Sequence, residues 1–156
     1  MLPLPDLRLL RPSSTVEALR MFDDEPTALF VAGGTDLVPN IKYGLYTPAA
    51  LIDLTTLGLR GIARNPDGEV RIGACTTLYD LETSSVIADT HPALASAAST
   101  IAAPQHRRMG TVGGNVLIDT RCLWYNAPQT WREALGGCLK KDGVYCRVTG
   151  GPRRCV

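Results

Sequence analysis

Short apolar runs separated by polar, glycine-containing turns mark the first half of the chain. The runs ALFVA at 28–32 and ALIDL at 50–54 are brief and continuous, and they predict buried strands. Between residues 61 and 74, apolar and polar positions alternate on both sides of Pro66-Asp67-Gly68, a strong turn sequence. This alternation predicts a β-hairpin.

Helix signals lie between these strands. Ser14 to Glu17 forms a capping-box sequence and predicts a helix through Phe22, and a second box from Thr77 to Asp80 opens another helix. Residues 36–43 have room for one or two helical turns. The alanine-rich stretch 91–103 predicts a further helix, with a proline at its permitted first turn. We therefore expect a mixed α+β fold in this part of the chain.

Composition limits the possible function classes. A chain of 156 residues with 45% hydrophobic content is long enough for one domain with a core. The formal charge of +1 gives no overall field for nucleic acid or an anionic membrane, and no apolar run is long enough to span a membrane. The start, MLPLPDLRLL, lacks the basic region of a signal peptide, so a cytoplasmic location is expected. In that reducing compartment, disulfides are the weaker explanation for the five cysteines.

Two glycine-containing turns are candidates for binding a phosphate group. Residues 31–37, VAGGTDL, run from a predicted strand through Gly33-Gly34 into a predicted helix, where successive N–H groups can form an anion-binding nest. An ordinary strand-to-helix turn is the alternative. Residues 110–115, GTVGGN, add small residues, a hydroxyl and an amide suited to phosphate or ribose. Neither turn is a GxGxxG fingerprint, so a Rossmann nicotinamide site is not supported.

Three segments together resemble a known family. AGGTDL at 32–37, IGACTTLYDLE at 72–82 and IAAPQHRRMGTVGGNV at 101–116 are similar, in order and spacing, to the FAD-binding subunit of molybdenum hydroxylases. That family includes carbon monoxide dehydrogenase and xanthine dehydrogenase. The resemblance implies a two-lobed α+β FAD-binding domain, of which residues 1–121 form the N-terminal part. It also implies that the rest of the flavin domain and a C-terminal domain are absent, so that the chain alone binds FAD poorly.

The same resemblance implies which residues bind FAD. The first turn contributes Val31, Ala32, Gly33, Gly34, Thr35, Asp36 and Leu37, and the second contributes Gly110, Thr111, Val112, Gly113, Gly114 and Asn115. Thr76 and Thr77 are weaker candidates, because they also suit a role in capping the following helix. No acid, base or nucleophile is assigned, since the chemistry on the substrate would take place in another subunit.

Four cysteines follow the second turn, at Cys122, Cys138, Cys146 and Cys155. They contain neither the CxxC pairs of zinc ribbons nor the spacing of bacterial ferredoxins, so spacing alone leaves the metal open. The segment from 121 to 155 has seven basic and two acidic side chains, and positive neighbours favour the thiolate form that metal binding needs. A solvated basic loop is the alternative.

Resemblance to a known subunit favours one kind of metal site for the four cysteines. The segment 122–155 is similar to an insertion in the beta subunit of 4-hydroxybenzoyl-CoA reductase, which implies that the four cysteines hold a 4Fe–4S cluster. A ferredoxin would then deliver electrons through the cluster and FAD to a 2Fe–2S subunit and a molybdenum-cofactor subunit, which dehydroxylates the substrate to benzoyl-CoA. Trp124, Tyr125 and Trp131 would shield the cluster from water. The alternatives are another molybdenum hydroxylase and a zinc-stabilised nucleotide-binding module.

Three further residues with reactive side chains have structural explanations. Cys75 stands alone beside a predicted strand end and is expected to be a small buried hydrophobic residue. His91 and His106 have no carboxylate or thiol neighbour in sequence that suggests catalysis, so structural roles are expected for both.

Overall fold

The structure, a computed structural model, describes residues 3–119 and 121–155. The chain divides into two compact units, the first ending at Ile118 and the second beginning at Asp119. Within the described ranges, none of the helices combines the length and apolar character needed to cross a membrane.

A three-stranded parallel sheet forms one part of the first unit. Its strands are β1 (Arg8–Leu10), β2 (Leu29–Val31) and β3 (Ala50–Asp53), in the order β1-β3-β2. The central strand β3 is buried, whereas β2 is only half-buried because it lies at the sheet edge. The expectation of a fully buried strand at 28–32 was therefore wrong in burial, although its position was right. Strand β1 has only three residues and was not predicted.

Helix α1 (Thr15–Asp24) packs against this sheet and begins where the capping sequence predicts. The Ser14 hydroxyl accepts a hydrogen bond from the Glu17 N–H at 3.1 Å. The Glu17 carboxylate accepts from the Ser13 N–H and hydroxyl, both at 2.6 Å, so the reciprocal bond of the box is made one residue earlier than expected. The core beneath α1 contains Ala18, Ala28, Ala50 and Ile52, with Leu10, Met21, Phe30, Leu54 and Leu57 packed around them.

The predicted hairpin follows a short helix. Helix α2 (Leu37–Lys42) occupies the expected segment. Strands β4 (Ile62–Arg64) and β5 (Val70–Ile72) pair antiparallel, and Gly68 lies in their turn with φ of 93°, a conformation that glycine adopts without strain. The hairpin prediction is confirmed.

Five short helices complete the first unit: α3 (Leu78–Thr83), α4 (Ser85–Thr90), α5 (Pro92–Ser99), α6 (Pro104–Arg107) and α7 (Val112–Val116). Leu81, Ile87 and Ala98 form the core on which the first three of them meet. The helix expected over 91–103 ends earlier, at Ser99. Ala102 has φ of 46° and Ala103 precedes a proline, and both conditions are incompatible with continuing a helix.

The second unit is organised by one buried arginine. Its helix α8 (Gln129–Ala134) was not predicted, and it carries Arg132, whose Nε donates to Asp142 Oδ2 at 2.7 Å and whose Nη1 donates to the Ala127 carbonyl. Asp142 Oδ1 accepts from the Cys138 N–H at 2.8 Å. This network joins helix and loops, so the second unit has an ordered centre built from protein groups alone.

Candidate functional site

Three segments that are distant in sequence meet in the first unit: the turn at 32–37, the signature at 74–78 and the turn at 109–115. Three backbone hydrogen bonds join the last two, from Leu78 N to Gly110 O (2.9 Å), from Val112 N to Thr76 O (2.8 Å) and from Gly113 N to Ala74 O (2.8 Å). Thr77 and Thr111 also face each other in an isolated antiparallel bridge. The signature is therefore a scaffold on which the second turn is fixed.

The first turn packs directly against the second. A Cβ atom placed on Gly33 would lie 1.9 Å from the Met109 carbonyl oxygen. A Cβ atom on Gly110 would lie 3.2 Å from Thr35 Oγ1. The two turns thus approach backbone to backbone, as expected if they serve one ligand.

The first turn has N–H groups available for an anion. Among the loop hydrogen bonds between described residues, none uses the N–H of Gly33, Gly34 or Thr35. Gly34 has φ of 67°, which gives the turn the left-handed residue typical of a nest. Half-buried N–H groups of this kind are the donors that a diphosphate requires, so the residues present fit the FAD that the sequence implies. The Asp36 carboxylate accepts from the Asn40 side chain at 3.0 Å.

The second turn differs from the first. The protein itself accepts hydrogen bonds from five of its six N–H groups, those of Gly110 and residues 112–115, and Val112 to Asn115 lie in helix α7 rather than in a glycine loop. The Thr111 hydroxyl caps that helix by accepting from the Gly114 N–H at 3.2 Å. Side-chain groups, such as the half-buried Asn115 amide, are therefore the main groups for a ligand on this side. The two turns are therefore similar in composition but differ in backbone conformation.

Thr76 and Thr77 have structural hydrogen bonds. Thr76 is fully buried, and its hydroxyl accepts from the Gly61 N–H at 2.9 Å while donating to the Gly61 carbonyl at 3.0 Å. Thr77 and Asp80 form a complete capping box at the start of α3. The predicted capping role of Thr77 is confirmed, and any contact of either residue with FAD stays a prediction.

Two ion pairs that sequence reasoning missed hold the scaffold. Arg60 binds Asp80 through two parallel hydrogen bonds of 2.9 Å. Burial of Asp80 raises its pKa, but hydrogen bonds from Thr77 and Arg60 outweigh this effect and lower it below the usual value. Arg107 pairs with Glu82 at 2.8 Å and donates to the carbonyls of residues 101 and 102. Each partner is far away in sequence, so no local pattern indicates these pairs.

Cys75 is buried, as expected. Its thiol donates to the Leu54 carbonyl at 3.6 Å. Burial raises the pKa of this thiol, and the nearby Asp53 carboxylate raises it further. Cys75 is therefore a protonated, unreactive thiol at neutral pH.

The cysteines of the second unit are not gathered around one point. Cys138 and Cys146 are buried, and Cys122 and Cys155 are half-buried. Within residues 3–119 and 121–155, no three His, Cys, Asp or Glu side chains form a group that could hold a metal ion. The arrangement in this structure does not fit the expected 4Fe–4S cluster. Trp124 and Trp131, expected to shield it, stack on each other with ring centroids 5.1 Å apart.

Known proteins share this architecture. The family described as the FAD binding domain in molybdopterin dehydrogenase matches residues 5–135. The chain is 37% identical over 107 residues to the xanthine dehydrogenase FAD-binding subunit of Escherichia coli O157:H7, covering 68% of this chain and 37% of that protein. It is 34% identical over 151 residues to the aldehyde oxidoreductase FAD-binding subunit PaoB of Escherichia coli K12, covering 94% of this chain and 48% of that protein.

Solved structures agree with this match. The carbon monoxide dehydrogenase from Hydrogenophaga pseudoflava lacking the Mo-pyranopterin moiety of the molybdenum cofactor is similar at a TM-score of 0.70 and 37% identity, over 73% of this chain and 40% of that one. The chain spans less than half the length of the relatives it matches. The predicted fold, an α+β domain of the molybdenum-hydroxylase flavoprotein type, is confirmed. By its sequence match and its fold, the chain belongs to the family of FAD-binding domains of molybdopterin dehydrogenases.

Proposed function

We propose that this chain supplies the diphosphate-binding part of the FAD subunit of a molybdenum hydroxylase. The observation that carries the proposal is the first turn, whose N–H groups at residues 33–35 are available and which packs on the second turn at Met109 and Gly110. Bound FAD would accept and pass on electrons one or two at a time.

The chain's own residues bind and orient the cofactor in this proposal. The N–H groups of the first turn donate to the diphosphate, and the Asn115 amide contacts the phosphate or the neighbouring ribose from the second turn. The backbone of residues 74–78 holds the second turn through three hydrogen bonds, and the first turn packs on the second at Met109 and Gly110. No residue of the chain acts on the substrate, so substrate turnover takes place in a partner.

The partners in this proposal are a molybdenum-cofactor catalytic subunit and a 2Fe–2S subunit, in the cytoplasm. The relatives are named for xanthine and aldehyde oxidation and for carbon monoxide dehydrogenase. These names support a small oxidisable substrate and an outside electron acceptor, without selecting one substrate.

A more specific second candidate is the FAD and 4Fe–4S subunit of a 4-hydroxybenzoyl-CoA reductase, with ferredoxin as electron donor. The sequence of segment 122–155, with its four cysteines, supports it. Against it stands the lack of a metal-holding group within the described ranges. The alignment with the aldehyde oxidoreductase subunit covers 94% of the chain, so it includes most of segment 122–155. The cysteine segment therefore does not single out one substrate.

The test of the main proposal is to tag the chain in its native host and to purify its complex anaerobically. We expect stoichiometric flavin and molybdenum, and bleaching of the flavin when xanthine, an aldehyde or carbon monoxide is added. A complex without flavin would contradict the proposal.

The same preparation separates the second candidate from the zinc-stabilised module. Four iron and four sulfide per chain beyond those of the 2Fe–2S subunit, lost in Cys138→Ser but not in Cys75→Ser, together with oxidation of the reduced flavin by 4-hydroxybenzoyl-CoA, would support the reductase. One zinc per chain without sulfide or flavin would support the module.

A further inference from the structure

The contact between the two turns depends on the missing side chain of Gly33. The nearest atoms to a Cβ at this position would be the Met109 carbonyl oxygen at 1.9 Å and its carbon at 2.6 Å. Both are backbone atoms, and no rotation of a side chain relieves such an overlap. We propose that Gly33 is a positioning residue, whose role is to set the separation of the two turns rather than to let the cofactor approach. The proposal rests on the FAD function proposed above.

The second turn cannot move away to make room. Gly110 accepts from the Leu78 N–H, and Val112 and Gly113 donate to the carbonyls of Thr76 and Ala74. Gly113 is itself tightly packed, because a Cβ there would lie 2.9 Å from the Ala74 carbonyl. A methyl group at Gly33 therefore either displaces the first turn or breaks these hydrogen bonds.

Gly34, the next residue, is required for a different reason. Its φ of 67° demands glycine, whereas a Cβ there would meet only a side-chain methyl of Val38, at 3.1 Å. Gly33 has no left-handed backbone angle. The two adjacent glycines thus have separable roles: Gly34 shapes the first turn, and Gly33 seats it against the second.

The test compares Gly33→Ala with Gly143→Ala, which provides a control in the second unit. A Cβ on Gly143 would lie 2.7 Å from the Gly137 carbonyl carbon, so the control introduces the same kind of backbone overlap away from the two turns and their scaffold. Hydrogen exchange of the full 156-residue chain without ligand measures how well the hydrogen bonds of the two turns are protected. FAD titration, followed by quenching of flavin fluorescence, measures the affinity for the cofactor.

In Gly33→Ala we expect the amides of Val38, Val112 and Gly113 to exchange at least about tenfold faster. We expect FAD to bind at least about tenfold more weakly, because the N–H groups of the first turn would no longer be aligned with the charged diphosphate. In Gly143→Ala the faster exchange should appear at Asp142 and Gly143, which donate to the Cys138 carbonyl, and FAD affinity should be retained.

Unchanged exchange at both turns in Gly33→Ala would overturn the inference, as would FAD affinity within twofold of the wild-type value. If the wild-type chain takes up no FAD in isolation, the titration is repeated in the tagged complex. Absence of flavin there contradicts the proposed function, and the exchange measurement still decides the role of Gly33.

Discussion

The Arg132 guanidinium lies against the Asp142 carboxylate at 2.7 Å, with its side chain only 8% exposed. The same carboxylate receives the Cys138 N–H, so a single ion pair joins helix α8 to the cysteine-containing loop. A buried charge that loses its partner is costly, because its desolvation is no longer compensated.

We predict that Asp142→Ala destabilises the second unit, since it removes two hydrogen bonds to one charged group and leaves Arg132 buried without its carboxylate. The measurement is urea unfolding followed by tryptophan fluorescence, because both tryptophans of the chain lie in this unit. Glu133→Ala, at a more exposed carboxylate of the same unit, is the control and should stay within about 0.5 kcal/mol. Equal effects of the two substitutions would argue against the network.

Asp80 makes a pH-dependent contribution to stability. Its pKa is lower in the folded protein than in the unfolded chain, so the unfolded state binds the proton more tightly. The stabilisation is therefore complete above the usual aspartate pKa and is lost as the pH falls through the lower folded value. We expect the stability difference between wild type and Asp80→Asn to be largest near neutral pH and to shrink in acid. Urea titrations at several pH values measure it, and a difference that does not change with pH would contradict the role of the Asp80 carboxylate.

Cys75 should react more slowly than the half-buried Cys155. Because burial and Asp53 raise its thiol pKa, we expect alkylation by iodoacetamide at pH 8 to be at least about tenfold slower than at Cys155. Peptide mass spectrometry after timed quenching gives the rate at each site. In urea the rates should converge. Rapid labelling of Cys75 in the folded chain would mean that its site is open.

Thr76→Val should destabilise the fold and leave FAD affinity unchanged. Valine matches threonine in shape but leaves the Gly61 N–H without its acceptor, at a cost of about 1–3 kcal/mol, while the Gly61 carbonyl still accepts from the Gly73 N–H. Thr76→Ser keeps the hydroxyl and should recover most of the loss. Thermal unfolding by circular dichroism and the flavin titration together separate the structural role from a cofactor role. Weaker FAD binding in a stably folded Thr76→Val would favour the latter.

Local sequence signals predicted the parts of this fold that depend on neighbouring residues. The boxes at Ser14 and Thr77 and the turn at Gly68 are satisfied within a few residues, so their patterns are sufficient. Strand β1 and helix α8 escaped prediction because both are short and acquire their stability from distant partners.

The same distinction between local patterns and distant contacts applies to the candidate site. The residues of both turns were identified from their glycines and from family resemblance, but the contact of Gly33 with Met109 is a tertiary feature that no spacing reveals. The use of the second turn's N–H groups by the protein itself was equally invisible in sequence. The four cysteines of segment 122–155 were assigned to a cluster from family resemblance alone, and within residues 3–119 and 121–155 no three side chains form a group that could hold a metal ion.

The order of the parallel sheet has a consequence for synthesis on the ribosome. Strand β3 lies between β1 and β2 but follows both in the chain, so neither earlier strand has a partner until Asp53 has left the exit tunnel. Until then two unpaired strand edges are available to chaperones or to neighbouring nascent chains. Folding of the parallel sheet can therefore begin only after its central strand, β3, has been synthesised.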